Sequence, residues 1–167
     1  MEIANNSTVL VLLLSQTYNI YYHLPSDKNW DLKSCKLITS VSTVNELIGL
    51  NENMNENVIK YCMLFVMKSG IAPLQEDARN KNGGYFSYKV YNKTVVNVWK
   101  DFVYLFCGGT LMKNNEDMAC VNGITISPKK NFCILKIWLE TLKIQNPDAV
   151  SSIENVSNTG VLFTPHF

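Results

Sequence analysis

Seven segments of the chain run or alternate apolar at strand length: Val9 to Leu14, Asn19 to Leu24, Cys35 to Val41, Tyr61 to Met67, Tyr85 to Tyr91, Val121 to Ser127 and Phe132 to Leu139. Polar loops bearing Asn, Gly and Pro separate most of them, as antiparallel strands require. Three further segments carry helical spacing. Thr43 to Leu50 follows Ser42 as N-cap and places Val44, Leu47 and Ile48 on one face. Val95 to Cys107 is apolar round most of its circumference, with Lys100 and Asp101 as the exception, and Gly108-Gly109 supplies the stop. Asn146-Pro147-Asp148 opens a third helix, with proline in its first turn, predicted to end near Val156. Strands and helices interspersed without a βαβ rhythm predict an α+β domain on an antiparallel sheet. The NENMNEN tract at Asn51 to Asn57 reads as a solvated loop, and there is no internal repeat.

At 167 residues, 47% of them hydrophobic, the chain has the size and apolar content of one domain, 1–167, around a single core. Its net charge of +1 excludes a broad basic surface that coats nucleic acid, so any nucleic-acid contact must be local. Of the 15 basic residues only Arg79 is arginine, a lysine bias that points to an AT-rich coding genome. Five cysteines, Cys35, Cys62, Cys107, Cys120 and Cys133, stand singly, with no C-x-x-C pair and no histidine set. Neither a metal site nor a disulfide framework is signalled, and reduced, mostly buried thiols are expected. The apolar run Val9 to Leu14 is too short for a membrane span and lacks the basic flank and cleavage pattern of a signal peptide. It reads as a strand, so the asparagine sequons at Asn6, Asn92 and Asn155 are expected to be chance, and a cytoplasmic location with no membrane contact follows.

The stretch from Ser69 to Tyr85, SGIAPLQEDARNKNGGY, orders a Gly-Ile-x-Pro turn, the acidic pair Glu76-Asp77, and Asn80-Lys81-x-Gly83-Gly84 leading into a strand. Around it lie Ile20-Tyr21-Tyr22, Asn29-Trp30, Leu64-Phe65, Trp99 in the long apolar helix, Ile124-Thr125-Ile126 and Ile137-Trp138. This order resembles the eukaryotic translation initiation factor 4E family, whose members bind the 7-methylguanosine cap of mRNA. The similarity runs from about residue 17 to 145, and more weakly through Val161 to His166. It implies a strongly curved antiparallel sheet with about three helices on its convex face and a cap-binding slot on its concave face.

The resemblance also implies roles for residues. Trp30 aligns with one of two tryptophans that sandwich the methylated base. The polar context DKNWD around it is unusual for a core residue. The second tryptophan of the sandwich falls at Gln75, whose amide is planar but has no ring quadrupole to reward a cationic base. Tyr22, His23, Tyr85 and Phe132 are the aromatic residues nearest the implied slot. Glu76 aligns with the carboxylate that accepts from guanine N1 and N2; two acceptor oxygens match two adjacent donors, and adenine has no such edge. Trp138 aligns with the residue against the N7-methyl group, although its alternation with Ile137 and Leu139 admits a core role as well. Ser127 stands where an arginine is expected, leaving Lys129 and Lys130 as point charges for the phosphates.

On the convex face, where family members bind scaffold or repressor proteins through a Tyr-x4-Leu-apolar helix, Val44 and Asp101 keep the expected character. Ile48 replaces a tryptophan and Lys100 a leucine. The implied partners are therefore capped mRNA and, on an altered face, such a protein, with the chain itself a monomer. No cofactor is implied. No serine, cysteine or paired-acid constellation presents itself, and His23 and His166 stand alone in sequence, so catalysis is not expected. An interaction module of the same fold with weakened cap binding is the competing reading.

Overall fold

The computed structural model describes residues 10–167. Seven antiparallel strands form one sheet in the order β2-β1-β3-β5-β6-β4-β7. They are β1 (Leu13–His23), β2 (Lys36–Thr43), β3 (Met63–Lys68), β4 (Gly84–Tyr91), β5 (Val121–Pro128), β6 (Phe132–Leu139) and β7 (Leu162–Pro165). Irregularities of register between β1 and β2, and between Val121 and Gly123 of β5 against β6, are the bulges by which a sheet takes on strong curvature. This is the curved α+β architecture expected.

Helices α1 (Val44–Asn53), α2 (Glu56–Tyr61) and α3 (Val95–Cys107) pack among themselves and on the sheet, and the short α4 (Asn115–Ala119) precedes β5. Helix α3 buries Val95, Val98, Trp99, Phe102, Val103 and Phe106, the spacing of one helical face extended by a turn. Trp99, 1% exposed, is core. Facing it, the sheet contributes Tyr18, Ile20, Leu64, Val66, Phe86, Tyr88, Ile124, Ile126, Leu135 and Ile137 to the same cluster. Strand alternation sends the intervening side chains to the concave face. There a smaller cluster of Cys35, Phe65, Met67, Ile71 and Trp138 forms a floor.

Several local expectations change. Val9 lies outside the described residues, Leu10 to Leu12 are exposed and not in a strand, and the two predicted N-terminal strands join in a single one from Leu13 to His23. The polar Ser15-Gln16-Thr17 between them stays extended, with the Thr17 carbonyl accepting from the Ser69 amide. Thr43, not Ser42, caps α1: its hydroxyl accepts from the Glu46 amide while the Glu46 carboxylate accepts from the Thr43 amide. The Asn-rich tract is mostly helical, since α1 runs on to Asn53 and the Asn55 side chain caps α2, which starts at Glu56. The helix expected from Asn146 to Val156 is a single 3-10 turn, Pro147–Ala149. Beyond it the backbone is committed elsewhere: Lys113 donates to the Ala149 carbonyl, Ser151 donates to that of Leu111, and Met112 bridges Val150. Cys35, Cys107 and Cys133 are buried and Cys62 and Cys120 half-buried, all with free thiols.

Candidate functional site

The loop between β3 and β4 is held by amides. Asn80 is fully buried; its Nδ2 donates to the carbonyls of Ala72 (3.1 Å) and Leu74 (2.8 Å), and its Oδ1 accepts from Asn122 Nδ2 (2.9 Å) on β5. The Asp77 carboxylate accepts from the amides of Ala72 and Arg79, so the second acid of the pair is spent on the loop itself. Glu76, one residue earlier, is exposed. The loop ends at Gly83, where a Cβ would run into the carbonyl of Leu139 on β6. Its shape thus projects Gln75 and Glu76 over the concave face.

Trp30 comes from the loop after β1. This loop is ordered by its own bonds, including Asn29 amide to Asp27 Oδ1 (2.9 Å) and Asp27 amide to the Leu24 carbonyl (3.0 Å). One face of the indole lies flat on His23, the last residue of β1, with centroids 4.2 Å apart and planes within 5°. His23 is 1% exposed and Trp30 59%, so the other face of the indole is the open one. His23 Nε2 donates to the Asn29 carbonyl at 2.8 Å, and Nδ1 is buried without a protein partner.

Trp138 is 4% exposed and belongs to the concave floor. Its Nε1–H donates to Thr125 Oγ1 at 3.2 Å, and its ring meets Phe65 edge-on. Behind it stands His166, tilted against Trp138 at 4.8 Å and Tyr85 at 5.3 Å, with neither ring nitrogen hydrogen-bonded. Burial, reinforced by the charge of Lys136 and opposed by Glu76, lowers the His166 pKa to about 4.

These parts enclose a cleft of about 490 Å³. His23, Trp30, Phe65, Gln75, Glu76, Ser127, Lys129, Lys136 and Trp138 all line it. A second depression of about 450 Å³, around Arg79, Glu116, Asp117, Glu140 and Lys143, has no aromatic wall. The aromatic cleft therefore brings together Trp30, Gln75, Glu76, Lys129 and Trp138. Lys130, exposed beyond it, is not among its lining residues. Of the four aromatic residues near the slot, His23 alone lines it. Tyr22 packs on the convex core, Tyr85 lies under Lys136, and Phe132 lies under Lys89.

The chain matches the family model for eukaryotic initiation factor 4E over residues 13–165. It belongs to that family. Among curated relatives, an Acanthamoeba polyphaga mimivirus eukaryotic translation initiation factor 4E homolog is 34% identical over 136 residues, 73% of this chain and 49% of the relative. Xenopus laevis eukaryotic translation initiation factor 4E is 23% identical over 142 residues, 81% of this chain and 64% of the relative. This family member thus spans about half to two thirds of the length of those relatives. The fold superposes on that of C. elegans eIF4E-3, solved with the 4E-binding protein Mextli and a cap analog, at a TM-score of 0.70 and 18% identity over 80% of this chain and 76% of that one. A Schistosome eIF4E solved with m7GpppG and 4E-BP gives 0.69 and 22% identity over 79% and 74%.

This initiation factor 4E family member differs from the sequence expectation in two lining residues. A single lysine in ILKIW reads as an outward strand position, so only the spacing of two between Lys136 and Trp138 signals its place in the cleft. His23 was noted only as one of four aromatic neighbours, and its stacking on Trp30 depends on how the β1 loop folds back.

On the convex side, α1, which carries Val44 and Ile48, packs on α3, which carries Lys100 and Asp101, and Ile48 is 45% exposed. Lys100 Nζ pairs with Glu52 at 3.2 Å, Tyr104 donates to the same carboxylate at 2.6 Å, and Asn51 donates to the Lys100 carbonyl. The Tyr104 and Lys100 contacts hold the Glu52 pKa below its ordinary value. A polar network thus crosses the face between the two helices. No described helix is long and apolar enough to cross a membrane.

Proposed function

We propose that this protein is a non-enzymatic reader of the 7-methylguanosine cap of mRNA in translation initiation, acting in the cytoplasm. The observation that carries the reading is the convergence of Trp30, Glu76 and Trp138 on one cleft. The base stacks on the open face of Trp30. Base stacking on an aromatic contributes roughly 1–3 kcal/mol, and a cationic base adds a further cation–π attraction of about 2 kcal/mol when desolvated. Glu76, with no hydrogen bond of its own to satisfy, accepts from guanine N1 and N2, at about 1.5–3 kcal/mol for each bond to the carboxylate. The backbone amide of Gln75 remains available to guanine O6, and the Gln75 side-chain amide lies against the base where an indole is usual. Trp138 closes the floor at the N7-methyl edge, its N–H already satisfied by Thr125 and its carbon edge free for the methyl group. Lys129, with Lys130 beyond it, contacts the phosphates.

A titration with 7-methyl-GTP and with GTP, followed by quenching of tryptophan fluorescence, tests this reading. Methyl-selective binding that is lost in both Trp30→Ala and Glu76→Ala is the expected result. Equal affinity for the two nucleotides would overturn it. A second reading is favoured by Gln75 and by the Glu52–Lys100 network: an interaction module or translational decoy with weakened cap binding and an altered partner surface. On that reading, a dedicated protein partner fitted to the altered face, rather than the usual Tyr-x4-Leu-apolar helix, binds in preference to the cap.

A further inference from the structure

Lys136 stands two residues before Trp138 on β6, on the same face of the sheet, and lines the cleft beside it. Its ammonium sits 3.8 Å from the centroid of the Tyr85 ring on β4. The ion pairs among the described residues are Lys60–Glu56, Arg79–Glu140 and Lys100–Glu52, so Lys136 has no carboxylate partner there. A ring face replaces only part of the strong hydration of an ammonium. The remaining donors of this half-buried group are unspent.

The charged residues lining the cleft are Glu76, Lys129 and Lys136, one negative against two positive. Glu76 is committed to the guanine edge on the reading above, which leaves both lysines in excess once a cationic base is bound. In the β5–β6 ladder Thr125 faces Lys136 and Ser127 faces Ile134, so Ser127 and Lys136 are diagonal neighbours, about 7–8 Å apart on one face. The β5 wall offers hydroxyls there, and the only fixed charge between that wall and Trp138 comes from β6.

We propose that Lys136, propped on the Tyr85 ring, makes occupancy of the cleft conditional on a phosphate attached close to the methylated base. The proposal rests on the cap reading. An ammonium lining the same cleft as a cationic base repels it, so the nucleoside alone binds poorly. A phosphate oxygen within hydrogen-bond reach reverses the sign, because the ammonium then donates to an anion while keeping its ring contact. Lys129, on the exposed β5–β6 turn, contributes attraction only. His166 reports the same field, since Lys136 helps hold its imidazole neutral.

The test is a set of titrations with 7-methylguanosine, 7-methyl-GMP and 7-methyl-GTP on the unsubstituted protein and on Lys136→Met, Lys136→Arg and Lys129→Met. Lys136→Met keeps the length of the side chain and its packing on Tyr85. It is expected to bind 7-methyl-GMP about tenfold more weakly or worse, and 7-methylguanosine more tightly than the unsubstituted protein. Lys136→Arg keeps the normal order, and Lys129→Met weakens 7-methyl-GTP without improving the nucleoside. Methyl-selective binding by the unsubstituted protein, with Lys136→Met weakening all three ligands equally or none, would overturn the inference and leave the cap reading standing. Absence of methyl-selective binding in the unsubstituted protein would overturn both.

Discussion

Replacing His166 by phenylalanine should change how the protein's stability depends on pH. The imidazole is 8% exposed, packs on Trp138 and Tyr85, and has no hydrogen-bond partner for either nitrogen. Its pKa falls from an ordinary 6.5 to about 4 in the folded chain, with burial as the main cause, Lys136 adding to it and Glu76 working against it. Between those two values the unfolded chain binds the proton and the folded chain does not, so stability is fully present above pH 6.5 and declines as pH falls toward 4. One pKa unit corresponds to about 1.4 kcal/mol, so taking the protein from pH 7.5 to pH 4.5 costs roughly 2–3 kcal/mol through this group. Phenylalanine keeps the aromatic packing and titrates nothing. Urea unfolding of the two proteins at pH 7.5 and pH 4.5 isolates the effect, because every other titrating group is common to both. His166→Phe should be as stable as the parent or slightly more so at pH 7.5, since it removes two unpaired polar atoms. Its advantage should widen by roughly 2–3 kcal/mol at pH 4.5. Parallel losses in both proteins would refute the reasoning.

Two further predictions concern the loop and the convex face. Asn80→Ala removes the donor to Ala72 and Leu74 and the acceptor for Asn122, leaving buried groups unsatisfied. It should destabilise the fold by about 2–4 kcal/mol and weaken 7-methyl-GTP binding at temperatures where the protein is still folded, as equilibrium unfolding and titration would show. The pair Ile48→Trp with Lys100→Leu removes the Lys100–Glu52 ion pair and supplies an anchor ring. It should bind a Tyr-x4-Leu-apolar peptide at least about tenfold more tightly than the parent, a gain read by calorimetry and refuted by equal affinities.

Those elements whose periodicity agrees with their environment were legible in the chain. α3 was fixed by its apolar face and Gly108, and β4, β5 and β6 by runs of apolar residues. The helix expected after Asn146 had a sound local signal, yet pairing with residues 111–113 took its backbone groups, a tertiary choice that no local pattern contains. The reverse holds for α2, which is six residues long and hidden in an Asn-rich tract whose capping Asn55 looks like any other loop asparagine. In the site, Glu76 and Trp138 were readable through the motifs around them. The role of Asp77 had no sequence signal, because its carboxylate accepts two loop amides through a fold of the loop that no local pattern contains. Adjacent Lys129 and Lys130 looked equivalent, but successive side chains in an extended turn point apart, and only Lys129 borders the cleft.

The stack of His23 beneath Trp30 has a kinetic consequence. A tryptophan more than half exposed on a short polar loop would ordinarily sample several rotamers, and each encounter with a ligand would have to wait for the right one. Here the imidazole supports one face across its whole plane, and the Nε2 bond to Asn29 ties that support to the residue preceding the tryptophan. The indole is therefore held in one orientation before any ligand arrives. Association through this face needs no rearrangement of the loop, so differences in affinity among ligands that share the base should be expressed in their dissociation rates.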